Sequence, residues 1–275
     1  MAFTRDEIHA RLDEQIKSGK AIVGAGAGTG ISAKCAQNGK VDMIIIYNSG
    51  RYRMAGRGSL AGLMPYGDAN EIVMDMAREV LPIAKDTPVM AGVCGTDPFR
   101  DMKYFIRDLI NKGFSGVQNF PTVGLIDGKY RANLEETGMG YQLEIDMIAE
   151  AHKQGMFTTP YVFSVEDAEN MTRAGADCLV AHMGLTTKGS IGAHTALTLD
   201  DCVVIIQDIH DASKKINPNI KVICHGGPIA EPEDAAYVLA RTKGVVGFFG
   251  ASSIERLPTE IAIKEQVEDF KKIKL

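Results

Sequence analysis

The sequence predicts an α/β fold of the (β/α)8 barrel (TIM barrel) type, with residues 1–275 in a single domain and a short N-terminal helix closing its bottom. Three observations lead to this prediction. The length of 275 residues is close to the ~250 residues that such a barrel usually takes. Eight apolar, strand-like runs alternate with helical patterns, and eight parallel strands close a barrel. The runs are almost continuously apolar, as in parallel strands buried on both faces.

Helical and strand patterns follow one another in a regular order. Thr4-Arg5-Asp6-Glu7 forms a capping-box pattern, and the apolar residues after it at helical spacing predict the N-terminal helix. Apolar residues recur at helical spacing from Met102, Ser164 suits the cap of a later helix, and Pro232 suits a first helical turn. The predicted strands cover residues 21–23, 43–47, 89–93, 116–119, 157–163, 178–182, 222–225 and 245–249.

A doubly wound sheet is the alternative fold, with Gly24-Ala25-Gly26-Ala27-Gly28 as its nucleotide loop. The glycine spacing differs from G-x-G-x-x-G, and the second strand ends in Tyr47-Asn48-Ser49 without an acid for a ribose. The count of eight strand-helix units therefore favours the barrel.

Composition and charge exclude some classes of function. The net charge is −5 without a Lys/Arg cluster, so we expect no nucleic-acid partner. No apolar run approaches the ~20 residues of a membrane span, and the first residues lack the apolar core of a signal peptide. The five cysteines form no C-x-x-C pair, which is typical of reduced thiols. We therefore expect a cytoplasmic protein without a membrane partner.

The loops after the last two strands predict a site for a small anion. Gly226 and Gly227 follow His225, and Gly250-Ala251-Ser252-Ser253 follows the next strand. Such loops offer backbone N–H groups and hydroxyls, and barrel enzymes usually hold phosphate there.

Two histidines end neighbouring strands, His182 after the sixth and His225 after the seventh. A histidine in an apolar run is often a buried structural group. Polar residues at the C-terminal ends of barrel strands are typically catalytic, however, and imidazole exchanges protons near neutral pH. We therefore interpret the pair as functional.

Other polar residues follow further strands. Arg51, Arg53 and Arg57 lie in a glycine-rich segment that we interpret as a flexible anion clamp or lid, with a solvated surface loop as the alternative. Asp97 could be a base, a metal ligand or the cap of the next helix. Glu135 and Glu136 follow the fourth strand, and Tyr161 lies in the fifth.

The absence of certain sequence motifs disfavours some types of enzyme reaction. The first strand has no H-x-H, which disfavours a metal-dependent amidohydrolase, and no strand contains the buried lysine of a Schiff-base enzyme. The remaining possibility is acid/base chemistry on a small anionic molecule, with or without Mg²⁺. The sequence does not exclude Mg²⁺, because this ion needs only one or two carboxylates together with substrate oxygens.

Six segments, almost all at predicted strand ends, carry a family resemblance: Asn48 to Asn70, Asn119 to Gly124, Leu134 to Tyr141, Ala181 to Thr187, Cys224 to Ile229 and Gly250 to Pro258. The chain closely resembles the phosphoenolpyruvate hydrolase-like TIM-barrel family, which also forms the C-terminal part of a plant antiviral resistance protein. That family is distantly similar to the phosphoenolpyruvate mutase and isocitrate lyase group, whose members use Mg²⁺ and 2-oxo acids. That group's D-x-D-T-G-Y-G and K-x-C-G-H loops are not present here.

The resemblance implies a hydrolase or lyase acting on phosphoenolpyruvate, phosphonopyruvate or another small phosphorylated or 2-oxo acid. We expect His225 and His182 to serve as acid and base, with Tyr161 in the catalytic set. Asn48 and Asn119 would donate to a developing enolate oxygen. The anion would be held by Arg51, Arg57, Gly226, Gly227, Gly250, Ala251, Ser252 and Ser253, and Mg²⁺, if used, by Glu136 or Asp97.

A non-catalytic module that senses a metabolite or nucleotide and signals to a partner is the alternative function. We also expect a homo-oligomer, because the C-terminal helix carries Ile261, Ile263, Val267 and Phe270. Packing of this helix on its own barrel is the alternative.

Overall fold

The computed structural model describes residues 2–194 and 197–275 and contains one parallel sheet. The strands are β1 Ile22–Gly26, β2 Met43–Ile46, β3 Val89–Gly92, β4 Gly116–Gln118, β5 Phe157–Thr158, β6 Tyr161–Val162, β7 Cys178–His182, β8 Lys221–His225 and β9 Gly247–Gly250. Neighbouring strands in the sheet follow the order β5-β4-β3-β2-β1-β9-β8-β7-β6.

The short strands β5 and β6 are two halves of one barrel strand, which the sequence predicts as continuous over 157–163. The prediction is wrong at Pro160, which has no N–H to donate to a neighbouring strand. Pairing nevertheless continues on both sides of the break. Thr159 N–H donates to the Val117 carbonyl at 2.9 Å, and the Pro160 carbonyl accepts from Val180 N–H at 2.9 Å. Eight strand positions therefore close the predicted (β/α)8 barrel.

Helices follow the strands, as the barrel requires. The predicted N-terminal capping box is present, Ser164 caps a helix, and Pro232 begins another. The helices are α1 Arg5–Lys17, α2 Gly30–Asn38, α3 Asn48–Met54, α4 Ala69–Val80, α5 Met102–Lys112, α6 Gly128–Glu136, α7 Gln142–Lys153, α8 Val165–Arg173, α9 Leu199–Ile216, α10 Pro232–Arg241 and α11 Arg256–Lys271, with 3₁₀ turns at Ser59–Leu63 and Val123–Leu125. Across the described ranges, none of them is long and apolar enough to cross a membrane.

Helix α1 closes the bottom of the barrel, as predicted. Its apolar face is fully buried at Ile8 and Leu12. Its polar side chains reach the N-terminal ends of two strands: Arg5 Nε donates to Asp177, which precedes β7, at 2.8 Å. Lys221, the first residue of β8, pairs with Asp13 at 2.8 Å. Apolar burial and ion pairs thus hold the helix in place.

The segment after β2 differs from the predicted flexible loop. Residues 48–54 form α3, directly after the strand. One hydrogen bond and one close approach of the backbone fix its start. Asn48 Nδ2 donates to the Gly62 carbonyl at 2.9 Å, and a Cβ on Gly50 would come within 3.0 Å of the Ala27 carbonyl oxygen. A helix packed this closely against the β1 loop sets the direction of each of its side chains.

Candidate functional site

The two predicted histidines meet at the C-terminal end of the barrel. His182 and His225 are paired in register at the ends of β7 and β8. Their ring centroids lie 4.7 Å apart, with the ring planes at 75°. Both side chains are buried and line the same cavity. The prediction that neighbouring strands bring these residues together is confirmed by this geometry.

The backbone fixes opposite tautomers for the two rings. Gly184 N–H donates to His182 Nδ1 at 3.0 Å, so this nitrogen carries a lone pair. His225 Nδ1 lies 2.7 Å from the Phe249 carbonyl, which can only accept, so this nitrogen carries the proton. In the neutral rings, Nε2 of His182 is therefore a donor and Nε2 of His225 an acceptor.

Both rings are held in the neutral form. Burial, together with the positive charge of Arg53, lowers the pKa of His225 to about 4, although the hydrogen bond to the Phe249 carbonyl opposes this shift. Burial also lowers the pKa of His182 well below its ordinary value, and His225 adds to the effect. Near pH 7 the site thus presents one neutral proton donor beside one neutral proton acceptor.

Aromatic side chains enclose the pair. The Tyr161 ring stacks on His225 with centroids 5.2 Å apart and meets the edge of His182 at 4.8 Å. The hydroxyls of Tyr47 and Tyr161 are 3.5 Å apart. Burial raises the pKa of Tyr161 well above its ordinary value, so its hydroxyl stays protonated and able to donate. The predicted Tyr161 therefore lines the cavity.

Arg53 brings positive charge to this cavity. Its side chain is 1% exposed, and Nη2 donates to Glu255 Oε2 at 2.9 Å. Its buried Nε has no hydrogen-bond partner among the described residues. Glu255 also accepts hydrogen bonds from Gly28 N–H and, at 2.6 Å, from Ser32. The cavity wall therefore contains a fixed positive charge, the Arg53 guanidinium, whose Nε–H donor is not used.

Sequence reasoning assigned anion binding to Arg51 and Arg57, which lie elsewhere. Arg51 pairs with Asp75 at the surface at 2.7 Å, and Arg57 is exposed and donates to the Gly56 carbonyl. The sequence feature that could have identified Arg53 is its spacing from Ser49, which also lines the cavity. The two residues are four apart, and residues four apart lie on the same face of a helix. This signal becomes usable only once the segment is known to be a helix.

The cavity is small and has an outer extension. The inner part has a volume of about 30 Å³, room for about two water molecules. An outer cavity of about 150 Å³ shares Ser59, Leu60, Leu185, Thr186 and Ser252 with it. The inner lining is Tyr47, Ser49, Arg53, Ser59, Leu60, Phe120, Leu125, Tyr161, His182, Gly184, Leu185, Thr186, His225, Ala251 and Ser252.

The predicted glycine loop packs against the neighbouring loop. Gly227 N–H donates to the Gly184 carbonyl at 2.8 Å, so this donor is already used. A Cβ on Gly226, where φ is +80°, would lie 2.3 Å from the Gly184 oxygen. Glycine therefore permits two loops to touch here. From the second loop, Ala251 and Ser252 line the cavity, whereas Gly250 and Ser253 do not.

The two asparagines that were predicted to donate to an enolate oxygen, Asn48 and Asn119, form hydrogen bonds with the neighbouring backbone. Asn119 Nδ2 donates to Glu144 at 2.7 Å, and Asn119 Oδ1 accepts from Tyr161 N–H at 2.7 Å. Asn48 Oδ1 accepts from Ser49 N–H at 2.8 Å. Both asparagines hold residues that line the cavity but are not themselves part of its lining.

The sequence did not lead to a prediction for Glu144, although this residue supports the site. It is fully buried, and it joins Asn119 to Val123 N–H, which lies 2.8 Å from Oε1. Burial raises its pKa to about 7. In the sequence it looks like an ordinary acid in the first turn of α7, and no local pattern distinguishes it.

The two predicted metal ligands lie apart from the cavity. Asp97 accepts from Phe99 N–H and Asn70 and forms an ion pair with Arg100. It does not cap α5, whose N-cap is Asp101. Glu136 is exposed at the end of α6. Over residues 2–194 and 197–275, no three or more His, Cys, Asp or Glu side chains group as metal ligands.

The fold and site define a (β/α)8 barrel with a buried, polar cavity at the C-terminal strand ends. Residues 7–273 match the model of the family described as phosphoenolpyruvate hydrolase-like. The chain belongs to this family, as the resemblance implied.

Two tomato (Solanum lycopersicum) proteins are similar over almost the whole chain. The ToMV susceptible protein tm-1(GCR26) is 62% identical over 96% of this chain, and the ToMV resistance protein Tm-1(GCR237) is 61% identical over 98%. The chain spans 35% and 36% of their lengths, about a third of each.

Among solved structures, a phosphonopyruvate hydrolase in complex with oxalate and Mg²⁺ has the same fold. The TM-score is 0.60 and the identity 15%, over 98% of this chain and 88% of that one. At this identity the likeness establishes the fold alone.

Proposed function

We propose that this chain is an enzyme, a hydrolase or lyase that acts on a small 2-oxo or phosphorylated acid by acid/base chemistry. The observation that carries the proposal is the pair of opposite histidine tautomers beside Arg53 in one cavity. A neutral donor, a neutral acceptor and a fixed cation suit a reaction in which an anionic substrate gains and loses a proton.

Each group has a distinct task in this proposal. Arg53 binds the carboxylate or phosphate of the substrate through donors that Glu255 leaves unused. His225 accepts at Nε2 a proton from the substrate or, in hydrolysis, from the attacking water, and the Nε2–H of His182 donates a hydrogen bond to the developing oxyanion. General acid/base catalysis of this kind accelerates reactions by about 10²–10⁴-fold. A bound anion also raises the pKa of the nearby imidazoles and makes proton acceptance easier.

Substrate entry requires the loops above the cavity to move. The inner cavity of about 30 Å³ admits only part of a three-carbon acid. Leu60 and Leu185 line both the inner and the outer cavity, so their displacement joins the two spaces. Closure over the substrate would then separate the reacting groups from bulk solvent.

Magnesium has no step in the proposed mechanism. The cavity lining contains no carboxylate, whereas Mg²⁺ is usually bound by one or two carboxylates together with substrate oxygens. Glu255, which pairs with the cavity residue Arg53, already accepts hydrogen bonds from Arg53, Ser32 and Gly28. The residues present therefore do not fit the ion, although the phosphonopyruvate hydrolase structure contains it.

The proposal is tested by turnover. Phosphoenolpyruvate, phosphonopyruvate and oxaloacetate are incubated with the protein, with and without Mg²⁺, and products are followed by phosphorus and proton NMR. We expect product from at least one acid and little dependence on Mg²⁺. Arg53→Gln should raise KM at least tenfold, while the matched surface variant Arg57→Gln leaves it unchanged.

Saturable binding of such an acid without any product would contradict the enzyme. It would favour instead a module that senses a metabolite, the alternative function considered from the sequence. Binding that survives Arg53→Gln would remove this residue from the anion site.

A further inference from the structure

The outer cavity extends the candidate site towards the surface. It has a volume of about 150 Å³, compared with about 30 Å³ for the inner cavity that contains the two histidines. The inner cavity has room only for the reacting end of an acid. The remainder of a bound acid must therefore lie in the outer cavity, and the lining of that cavity determines which acids fit.

The two cavities together offer an anion one available positive charge. Among the described residues, their linings contain two cationic side chains, Arg53 in the inner cavity and Arg256 in the outer one. Arg256 is already used, because Nη1 pairs with Glu260 at 3.0 Å and Nη2 donates to the Lys188 carbonyl at 2.8 Å. Arg53 pairs with Glu255, but its buried Nε–H has no acceptor. The inner cavity can therefore bind one carboxylate, and the described linings hold no second free cation for another.

Apart from Arg256, the described residues that line the outer cavity are uncharged. Hydroxyl groups lie at its boundary with the inner cavity, where Ser59 and Ser252 line both spaces with their Oγ atoms 3.4 Å apart. The apolar residues Ile191 and Ala193 line the outer cavity and not the inner one. Such a lining suits a carbon chain, which gains by leaving water, whereas an ionised group without a partner is strongly disfavoured there.

We propose that the acid bound by this site is a 2-oxo monocarboxylic acid with an uncharged carbon chain, and that the outer cavity selects for this chain. The inference rests on the proposed function, because it places the carboxylate at Arg53 and the 2-oxo group beside His182 and His225. The chain then passes the hydroxyls of Ser59 and Ser252 into the outer cavity. Phosphoenolpyruvate and oxaloacetate fit less well, because each brings a second anionic group.

Binding to the whole 275-residue chain tests this selection. Isothermal titration calorimetry compares pyruvate, 2-oxobutyrate, 2-oxovalerate and 2-oxohexanoate. Each added methylene should lower Kd about fourfold as long as the outer cavity accommodates it. The matched charged probe is 2-oxoglutarate, which has as many carbon atoms as 2-oxovalerate and a second carboxylate, and its Kd should be at least about tenfold higher. Equal or tighter binding of 2-oxoglutarate, or Kd values that do not fall along the series, would overturn the proposal.

A variant of the outer lining locates the chain. Ala193→Phe places a large side chain in the outer cavity and should remove most of the difference in Kd between 2-oxovalerate and pyruvate. Ala193→Ser keeps the space open and is the matched control, so it should retain the difference. Ala193 lies in a loop and is only partly buried, so both variants should melt at the wild-type temperature. An undiminished difference in folded Ala193→Phe would place the chain elsewhere and contradict the assignment.

Turnover of the same acids separates this inference from the proposed function. If Kd falls with chain length but no acid gives a product, the enzyme is contradicted and the assigned class of ligand stands. If oxaloacetate or phosphoenolpyruvate gives a product while the longer monocarboxylic acids are neither bound more tightly nor converted, the enzyme stands and this inference is wrong.

Discussion

The two ends of the barrel use the same residue types in opposite ways. At the N-terminal end, Asp177 binds both Arg5 and His9 at 2.8 Å. Among the described residues at the C-terminal end, Arg53 Nε is buried without a hydrogen-bond partner. The rings of His182 and His225 form their hydrogen bonds through Nδ1, which leaves Nε2 facing the cavity.

This difference distinguishes the polar groups that stabilise the fold from those that we propose to be functional. Buried polar groups are almost always paired, because an unpaired one costs about 1–3 kcal/mol. The charges around α1 follow this rule and fix the helix to the strands. The unpaired Arg53 Nε in the cavity wall departs from it, and a bound anion would supply the missing partner. Changes at the two ends should therefore affect different measured properties.

The largest expected effect is on turnover, at the C-terminal end. His225→Asn should lower kcat/KM by about 10²–10⁴-fold, because the proton acceptor is lost. The melting temperature should change little, since the asparagine amide can still donate to the Phe249 carbonyl. His9→Asn at the other end is the matched control and should leave kcat/KM unchanged. Equal activity of His225→Asn and wild type would exclude His225 from the mechanism.

The next effect is on stability, at the N-terminal end. Asp177→Ala should lower the free energy of unfolding by about 1–3 kcal/mol, because it leaves the buried Thr158 N–H without its acceptor and removes the partner of Arg5 and His9. Turnover of the folded fraction should be unaffected. Urea denaturation measures the first quantity and a steady-state assay the second.

This effect should depend on pH. Burial raises the pKa of Asp177, but hydrogen bonds from His9 and Arg5 outweigh it and leave the pKa below the ordinary value of 3.8. The stabilisation is therefore present above pH 3.8 and is lost as the pH falls through the lower, folded value. If Asp177→Ala lowered the free energy of unfolding by the same amount at pH 7 and at pH 2.5, this account would be contradicted.

Glu144 should give a pH dependence of the opposite sign. Burial raises its pKa to about 7 from 4.5, so the folded state holds the proton more tightly. Wild-type stability should fall by up to about 3 kcal/mol as the pH rises from 4.5 through 7. Glu144→Gln, which cannot ionise, should lack this fall. Denaturation curves at pH 5 and pH 8.5 test it, and parallel changes in both proteins would refute it.

The smallest effect is expected at the surface of α3. Arg51→Ala removes an exposed ion pair with Asp75, and such pairs contribute about 0–1 kcal/mol. The melting temperature and substrate KM should stay close to wild type. A tenfold rise in KM would restore Arg51 to the anion site predicted from the sequence.

Local patterns in the sequence account for most of the fold and for part of the site. The buried run of β2 and the strand-end positions of His182 and His225 follow from short segments. The inward position of Arg53 depends on the rotation of α3, and the role of Asn119 depends on Glu144, 25 residues away. The break at Pro160 is visible in the sequence, but the closure of the barrel across it depends on two neighbouring strands.

The complementary tautomers of His182 and His225 are the central claim, and nitrogen NMR of the imidazoles tests them most directly. At pH 7, we expect His225 to be neutral with its proton on Nδ1, and His182 to be neutral with its proton on Nε2. Neither ring should take up a proton above pH 6. The same tautomer in both rings, or a positive charge on either one at pH 7, would contradict the account.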